Sequence, residues 1–399
     1  MKTIVLGLFK KKAVEFKKKG FVYDLIIYDD IYPHPASGFR LEEFTFLLEN
    51  ITNCKAIVSG SIYKEFNLSE NLHSLHIGNL LKKKIELRNK IQRPLGEVNI
   101  NCKLFYCVFL NNIYKNLEWL EKYKIPFAFT LYPGGGFLTG DKEVNLKLKR
   151  IFSSACFRKV VATQKKTYDY LIDNNFCKLG DILFVFGVVA PQVSVFANNV
   201  VQKKVYQKDK KSFDICFCAS KATKYGENKG YPLFVEFMSA VAFKYDFIRF
   251  HIIGGFDKDV LDVTSMEDRI TFYGYQEYTE LTKIFRQVDL IISPNQPDKL
   301  GMGSFDGFPL GTVVEAGLNE VVVMLTDCFN ENEYFEDGKE LIIIKPEIGD
   351  MINKFESLLE DLDNFYKIAK KGKAKLQQIY SNDYQMKPRI EMIRSFLQP

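Results

Sequence analysis

Two acidic side chains, Asp306 and Glu315, stand with eight residues between them in the stretch SPNQPDKLGMGSFDGFPLGTVVE, Ser293 to Glu315. An apolar, strand-like run precedes the stretch (Val288, Leu290, Ile291, Ile292), and a helix-like apolar segment follows at Ala316. A strand, a glycine-bearing loop and a helix start bring backbone N–H groups and the positive end of a helix dipole to one place. The chemistry this offers is the binding of an anion. Such loops lie at the carboxyl edges of parallel sheets, where α/β proteins hold ligands. Asp and Glu also suit a helix start for dipole reasons alone, so the pair gains meaning only from its surroundings.

Those surroundings repeat one grammar. Tyr23–Tyr28 reads as a buried strand, followed by a turn through Asp29 and Pro35 and a helix start at Ser37-Gly38-Phe39-Arg40. Strands are expected at Cys54–Ser59, Lys103–Phe109, Phe127–Leu131, Lys159–Thr163 and Ile182–Val189, with helices at Tyr114–Tyr123 and Gln164–Asn174. Phe127–Leu131 runs into Tyr132-Pro133-Gly134-Gly135-Gly136, glycines that permit positive φ and the close approach of a ligand. Gln192–Lys211 is polar and lysine-rich and reads as a linker or surface excursion.

The pattern then restarts. Phe213–Cys218 is a strand, Ala219–Gly230 (ASKATKYGENKG) a Gly/Lys loop, and Tyr231–Phe243 a helix. Strands follow at Phe247–Ile253 (before Gly254-Gly255), Ile270–Gly274, Val288–Ser293, Val321–Thr326 and Glu340–Ile344. Tyr278–Arg286 is helical, a long helix runs from Ile348 to about Tyr380, and the tail Tyr384–Leu397 is helical too. Strand and helix alternating in both halves specify α/β folding with parallel sheets and right-handed crossovers.

Asp306-Gly307-Phe308-Pro309 and Glu315-Ala316 resemble the donor loop of the family-4 retaining glycosyltransferases of the GT-B fold. In that family a Glu, then Gly-Phe-Gly or Gly-Phe-Pro, precedes a second Glu at a helix start. This sequence departs by having Asp first and one extra residue between the acids. The resemblance implies two Rossmann-like domains whose parallel sheets face each other across a cleft. Residues 1–200 would form the acceptor side, 201–380 the donor-binding domain, and 381–399 a helix crossing back to the first. It is specific from Phe213 to Asp327 and looser before that.

Roles carry over residue by residue. Lys221 and Lys229 match the two basic residues that grip the nucleotide diphosphate, and lysine suits phosphate as a point charge. Asp306 with the amides of Gly307 and Phe308, beside Pro309, would hold the sugar; Glu315 would accept from the ribose hydroxyls, and Gly254 lies near the nucleobase. Ser37, Gly38, Arg40, Tyr132, Gly134 and Gly135 would face the acceptor side. Tyr132 stands where many family members carry a cleft His, so no catalytic His is carried over. The implied reaction moves a sugar from a nucleotide-diphosphate sugar to a glycan or lipid-linked acceptor, with retention, in bacterial surface polysaccharide or glycoconjugate synthesis. No cofactor is expected, and no Asp-x-Asp stands where a metal–diphosphate site needs one. The alternatives are a nucleotide-sugar 2-epimerase of the same fold and a catalytically silent GT-B binding module.

Bulk composition bounds the rest. A chain of 399 residues, 47% hydrophobic, is expected to form two domains. No apolar run approaches the roughly 18 residues of a membrane span. The Ile4–Phe9 run is too short for a signal peptide, so the expected location is cytoplasmic. Eight cysteines without framework spacing fit a reducing compartment. Charge is asymmetric: residues 1–212 carry net +15 and the remainder −9, with lysine clusters at 10–12, 17–19, 82–84 and 203–211. The basic half suggests an anionic partner, either the inner face of a membrane or a phosphate-bearing acceptor, with nucleic acid last because no nucleic-acid motif accompanies the charge.

Overall fold

The structure, a computed structural model, describes residues 14–35, 37–65, 69–191 and 202–398. The Ile4–Phe9 run, the lysines at 10–12 and residues 192–201 of the polar stretch lie outside them.

In chain order the first half contains β1 (Glu15–Lys17), β2 (Tyr23–Asp29), α1 (Gly38–Asn50), β3 (Cys54–Val58), α2 (Ser61–Glu65), α3 (Glu70–Lys83), β4 (Ile91–Gln92), β5 (Glu97–Asn99), β6 (Cys102–Val108), α4 (Leu110–Lys122), β7 (Phe127–Leu131), α5 (Lys142–Phe152), β8 (Phe157–Ala162), α6 (Lys165–Asp173) and β9 (Ile182–Phe184). Seven of these strands form one parallel sheet in the order β4-β3-β2-β6-β7-β8-β9, while β1 and β5 pair separately. Every residue of β7, FAFTL, is buried, as a central strand covered on both faces requires. Leu110, Ile113, Leu117 and Leu120 give α4 its buried face.

The second half continues with β10 (Phe213–Ala219), α7 (Tyr231–Lys244), β11 (Ile248–Gly254), β12 (Ile270–Gly274), α8 (Tyr278–Phe285), β13 (Leu290–Ser293), α9 (Gly311–Leu318), β14 (Val322–Thr326), β15 (Ile342–Ile344), α10 (Ile348–Glu360), α11 (Leu362–Ile379) and α12 (Asn382–Ser395). Its six strands are again all parallel, in the order β12-β11-β10-β13-β14-β15. The order reverses beside β10, a topological switch point that opens a crevice at the strands' carboxyl ends.

Helix α12 returns to the first half. Met386, Ile390 and Ile393 join the core beneath α1 and β2, and the fully buried Arg389 places Nε 3.7 Å from Glu43 Oε1. Its Nη2 donates to Tyr132 Oη (3.4 Å), which itself donates to Glu43 Oε2 at 2.9 Å.

Three expectations are corrected. The helix expected from Ile348 to Tyr380 is two helices, broken at Asp361, whose carboxylate accepts from Asn364 N (2.9 Å) and starts α11. The described part of the polar stretch is not a loose linker: Lys210 bridges Asp214 (2.6 Å) and Asp289 (2.5 Å) with its side chain 11% exposed. Lys203 donates to Phe285 O at 3.1 Å, and burial pulls its pKa down to about 7. The strand expected over Ile182–Val189 ends at Phe184.

Candidate active site

The carboxyl edge of the second sheet assembles the residues singled out by type and spacing. After β10 the chain passes Lys221 and reaches Lys229 in a short helical turn; Gly230 then opens α7 with φ +70°. A Cβ on Gly230 would sit 1.8 Å from Pro294 O, so close backbone packing against the β13 loop demands glycine. That packing brings Lys229 Nζ within 2.5 Å of Asp306 Oδ1. Asn295 Nδ2 donates to the other oxygen at 2.7 Å, and Ser293 and Thr326 hold Asn295 in turn. Lys229 therefore meets a carboxylate, not open solvent. Lys221 makes no ion pair among the described residues; it lies beside Gly255, near the exposed ring of Tyr275.

Glu315 lies on α9, which is fixed to β10 by Thr312 Oγ1 donating to Cys218 O (2.9 Å). Across the cleft stands Gly38, where a Cβ would come 3.1 Å from Glu315 Oε1 and from Pro191. The Glu315 carboxylate has no hydrogen-bond donor among the described residues. Burial alone pushes its pKa up to about 8. A largely covered carboxylate without a donor is costly, and it faces the space between the domains.

The donor loop itself is gripped from the first half. Gln164, buried just before α6, accepts from Phe308 N at 2.9 Å and donates to Phe308 O at 3.3 Å. The Phe308 N–H, expected to serve the ligand, is thus occupied by protein. Pro309 is buried, and Gly307 passes close to the Gln164 amide. Asp306, Gly307, Phe308, Asp327 and Cys328 line a small cavity, about 40 Å³, that opens to solvent. Asp327 accepts from Glu331 N and Asn332 N. Gly254 ends β11 with φ +117°, its Cα pressed against Ala219 O.

The acceptor-side residues divide. Ser37 precedes α1 and is buried, and Gly38 faces Glu315 as described. Arg40 is held through one nitrogen: its Nη1 meets Asp29 at 3.1 Å and Asp30 at 2.5 Å and its guanidinium covers the Phe109 ring, while its buried Nε has no hydrogen-bond partner among the described residues. Tyr132 is buried and its hydroxyl turns inward to Glu43 and Arg389, so it does not present a polar group to the cleft. The glycine run answers mainly to packing. A Cβ on Gly135 would strike Phe109 and one on Gly136 would strike Asn111; only Gly134 has open space beside it.

Sequence reasoning missed Gln164, Asn295, Thr139, Asp327 and Glu331. Asn295 lies within the opening stretch and Gln164 directly follows a strand end, signals of position alone. Among the described residues no cluster of His, Cys, Asp and Glu is placed to hold a metal, and no helix is long and apolar enough to cross a membrane.

Residues 213–361 match the profile of glycosyl transferases group 1. No protein of curated function matches the chain. Among solved structures it is similar to a glycosyltransferase from Rickettsia africae (13% identity, 94% of this chain and 99% of that one, TM-score 0.61). It is likewise similar to Anabaena HepE, crystallised with UDP and glucose (12%, 94% and 100%, TM-score 0.60). A third likeness is sucrose-phosphate synthase from Thermosynechococcus elongatus (11%, 94% and 98%, TM-score 0.62). The fold is that of glycosyltransferases with the GT-B architecture. Within that class the second domain is of the group 1 type.

Proposed function

We propose that this enzyme transfers a sugar, with retention, from a nucleotide-diphosphate sugar to a glycan or lipid-linked acceptor in surface polysaccharide or glycoconjugate synthesis. Residues 1–200 act as the acceptor side and 201–380 as the donor-binding domain. The observation that carries the reading is Glu315, a covered carboxylate with no hydrogen-bond donor among the described residues, facing the cleft. A ribose diol supplies the two O–H donors such a group wants. Lys221, with no ion pair among the described residues, and Lys229, 2.5 Å from Asp306, meet the diphosphate. The donor sugar lies against Asp306 and the Gly307 backbone. UDP-glucose is the first donor to try, since HepE has been crystallised with it.

In the reaction the bond from the anomeric carbon to the diphosphate breaks and the bond to the acceptor oxygen forms. The acceptor proton ends on the released diphosphate. Lysines prearranged around the leaving group lower the barrier most, because negative charge grows there. A panel of nucleotide sugars, assayed for release of nucleoside diphosphate with and without EDTA, tests the proposal. Turnover of one donor is expected, and it persists in EDTA. Binding of none of them refutes it.

A further inference from the structure

The segment Gly303–Phe308, which bears Asp306, belongs to the second domain but is held at both ends by the first. Gly303 O accepts from Thr139 N (3.0 Å) and Thr139 Oγ1 (3.2 Å). Phe308 exchanges both of its backbone groups with the Gln164 amide. Between these anchors Phe305, 8% exposed, enters the first domain's apolar core edge-on to Phe137, with ring centroids 6.0 Å apart.

Gln164 is free to do this for a specific reason. It occupies the position before α6 where a side chain would ordinarily satisfy the first N–H groups of the helix, yet it caps nothing. Glu331 of the second domain takes that role instead, accepting from Lys165 N at 2.6 Å and Lys166 N at 2.7 Å. The Gln164 amide is thereby released to reach Phe308. Two hydrogen bonds from one side chain to one residue fix both torsions of that residue.

We infer that Gln164 is a positioning residue: the first domain sets the shape of the donor-sugar loop by holding the Phe308 peptide, and so aims Asp306 and Gly307. This rests on the reading of that loop as the sugar site. Gln164 touches neither the diphosphate lysines nor Glu315, so its loss separates sugar handling from nucleotide binding.

The test uses full-length Gln164→Ala and the isosteric Gln164→Glu, which keeps the acceptor for Phe308 N–H and loses the donor to Phe308 O. Affinity for the nucleoside diphosphate is measured by calorimetry, and turnover is measured with the donor the panel identifies. Turnover should fall about tenfold or more in Gln164→Ala, as expected for two lost buried hydrogen bonds, and no less in Gln164→Glu, whose buried carboxylate faces the Phe308 carbonyl, while nucleoside-diphosphate affinity stays within about twofold. Unchanged turnover in both variants overturns the inference and leaves the transferase reading standing. Raised turnover also overturns it, since the contact would then be a brake. An equal loss of diphosphate affinity assigns Gln164 a general structural role and overturns it too. Wild-type enzyme that binds no nucleoside diphosphate overturns both readings.

Discussion

The carboxyl edges of the two sheets treat charge differently. On the first, the buried charges face one another, although Nε of Arg40 and Nε of Arg389 have no hydrogen-bond partner among the described residues. Arg40 is pinned by Asp29 and Asp30, and Glu43 is surrounded by Tyr106, Tyr132 and Arg389. On the second, Glu315 has no donor and Lys221 no acid among the described residues, so capacity is left for a ligand. The contrast matches a division of labour. On the proposed reading, a donor with a diphosphate and a ribose would be recognised by charge and hydrogen bonds, whereas the facing edge of the first domain offers backbone, glycine and aromatic surface.

The contrast breaks most visibly in stability. Arg40→Ala strands Asp29, which is fully buried and whose pKa burial already raises to about 6. Removing one member of such a buried cluster costs about 3–5 kcal/mol. Glu315→Gln should do the reverse. A carboxyl whose folded pKa is about 8, against an ordinary 4.5, is not penalised below pH 4.5 and costs progressively more stability as pH rises to 8. The variant should match wild type near pH 4 and exceed it by about 3 kcal/mol at pH 8, with donor binding lost, at about 1.4 kcal/mol per pKa unit less a discount for solvent access. Denaturant melts at the two pH values check both. A Glu315→Gln protein less stable than wild type at pH 8 would show that the carboxylate has a protein partner.

Much of this architecture was legible because buried strands advertise themselves. Phe127–Leu131 and Ile270–Gly274 begin and end where their apolar runs do. The short pieces were not legible: β1, β4 and β5 have two or three residues each, too few for any period to show. Lys203 and Lys210 read as solvated because the acid that buries Lys210, Asp289, lies 79 residues away. For the site, the acids and lysines were visible as types at spacings. The state of each was not. Asp306 pairing with Lys229, and Gln164 reaching Phe308 over 144 residues, are products of tertiary packing. Gly135 looked like room for a ligand, yet the Phe109 ring lies against it.

The next effect is smaller and sharpens the same comparison on the donor side. Lys229→Ala removes a charge-assisted contact of roughly 1.5–3 kcal/mol, so nucleoside-diphosphate affinity should weaken by about tenfold or more. Affinity for the bare nucleoside should not change. Because Asp306 loses its lysine as well, the loss should be greater for the nucleotide sugar than for the diphosphate. Equal losses for nucleoside and diphosphate in calorimetry would deny the lysine a phosphate role.

The smallest effect concerns the lysines of the first half, Lys17–Lys19 beside Glu97 and Asn99, and Lys82–Lys84 at the end of α3. We propose that these lysines meet anionic lipid, but the structure reduces the force available. Lys17 and Lys19 share Glu97 (2.8 and 2.5 Å), and Lys84 pairs with Glu49. Lys18 and Lys82 have no ion pair among the described residues. Each uncompensated basic residue near an anionic surface contributes about 1 kcal/mol, within a Debye length of ~8 Å at physiological salt. With so few of them, sedimentation with anionic phospholipid vesicles should be weak at low salt and gone by a few hundred millimolar. The triple change of Lys17, Lys18 and Lys19 to Glu should abolish it without touching turnover of a soluble acceptor. Binding to neutral and anionic vesicles alike, or to neither, would leave these lysines as solubilising surface. A dissolved acceptor would then be the better fit.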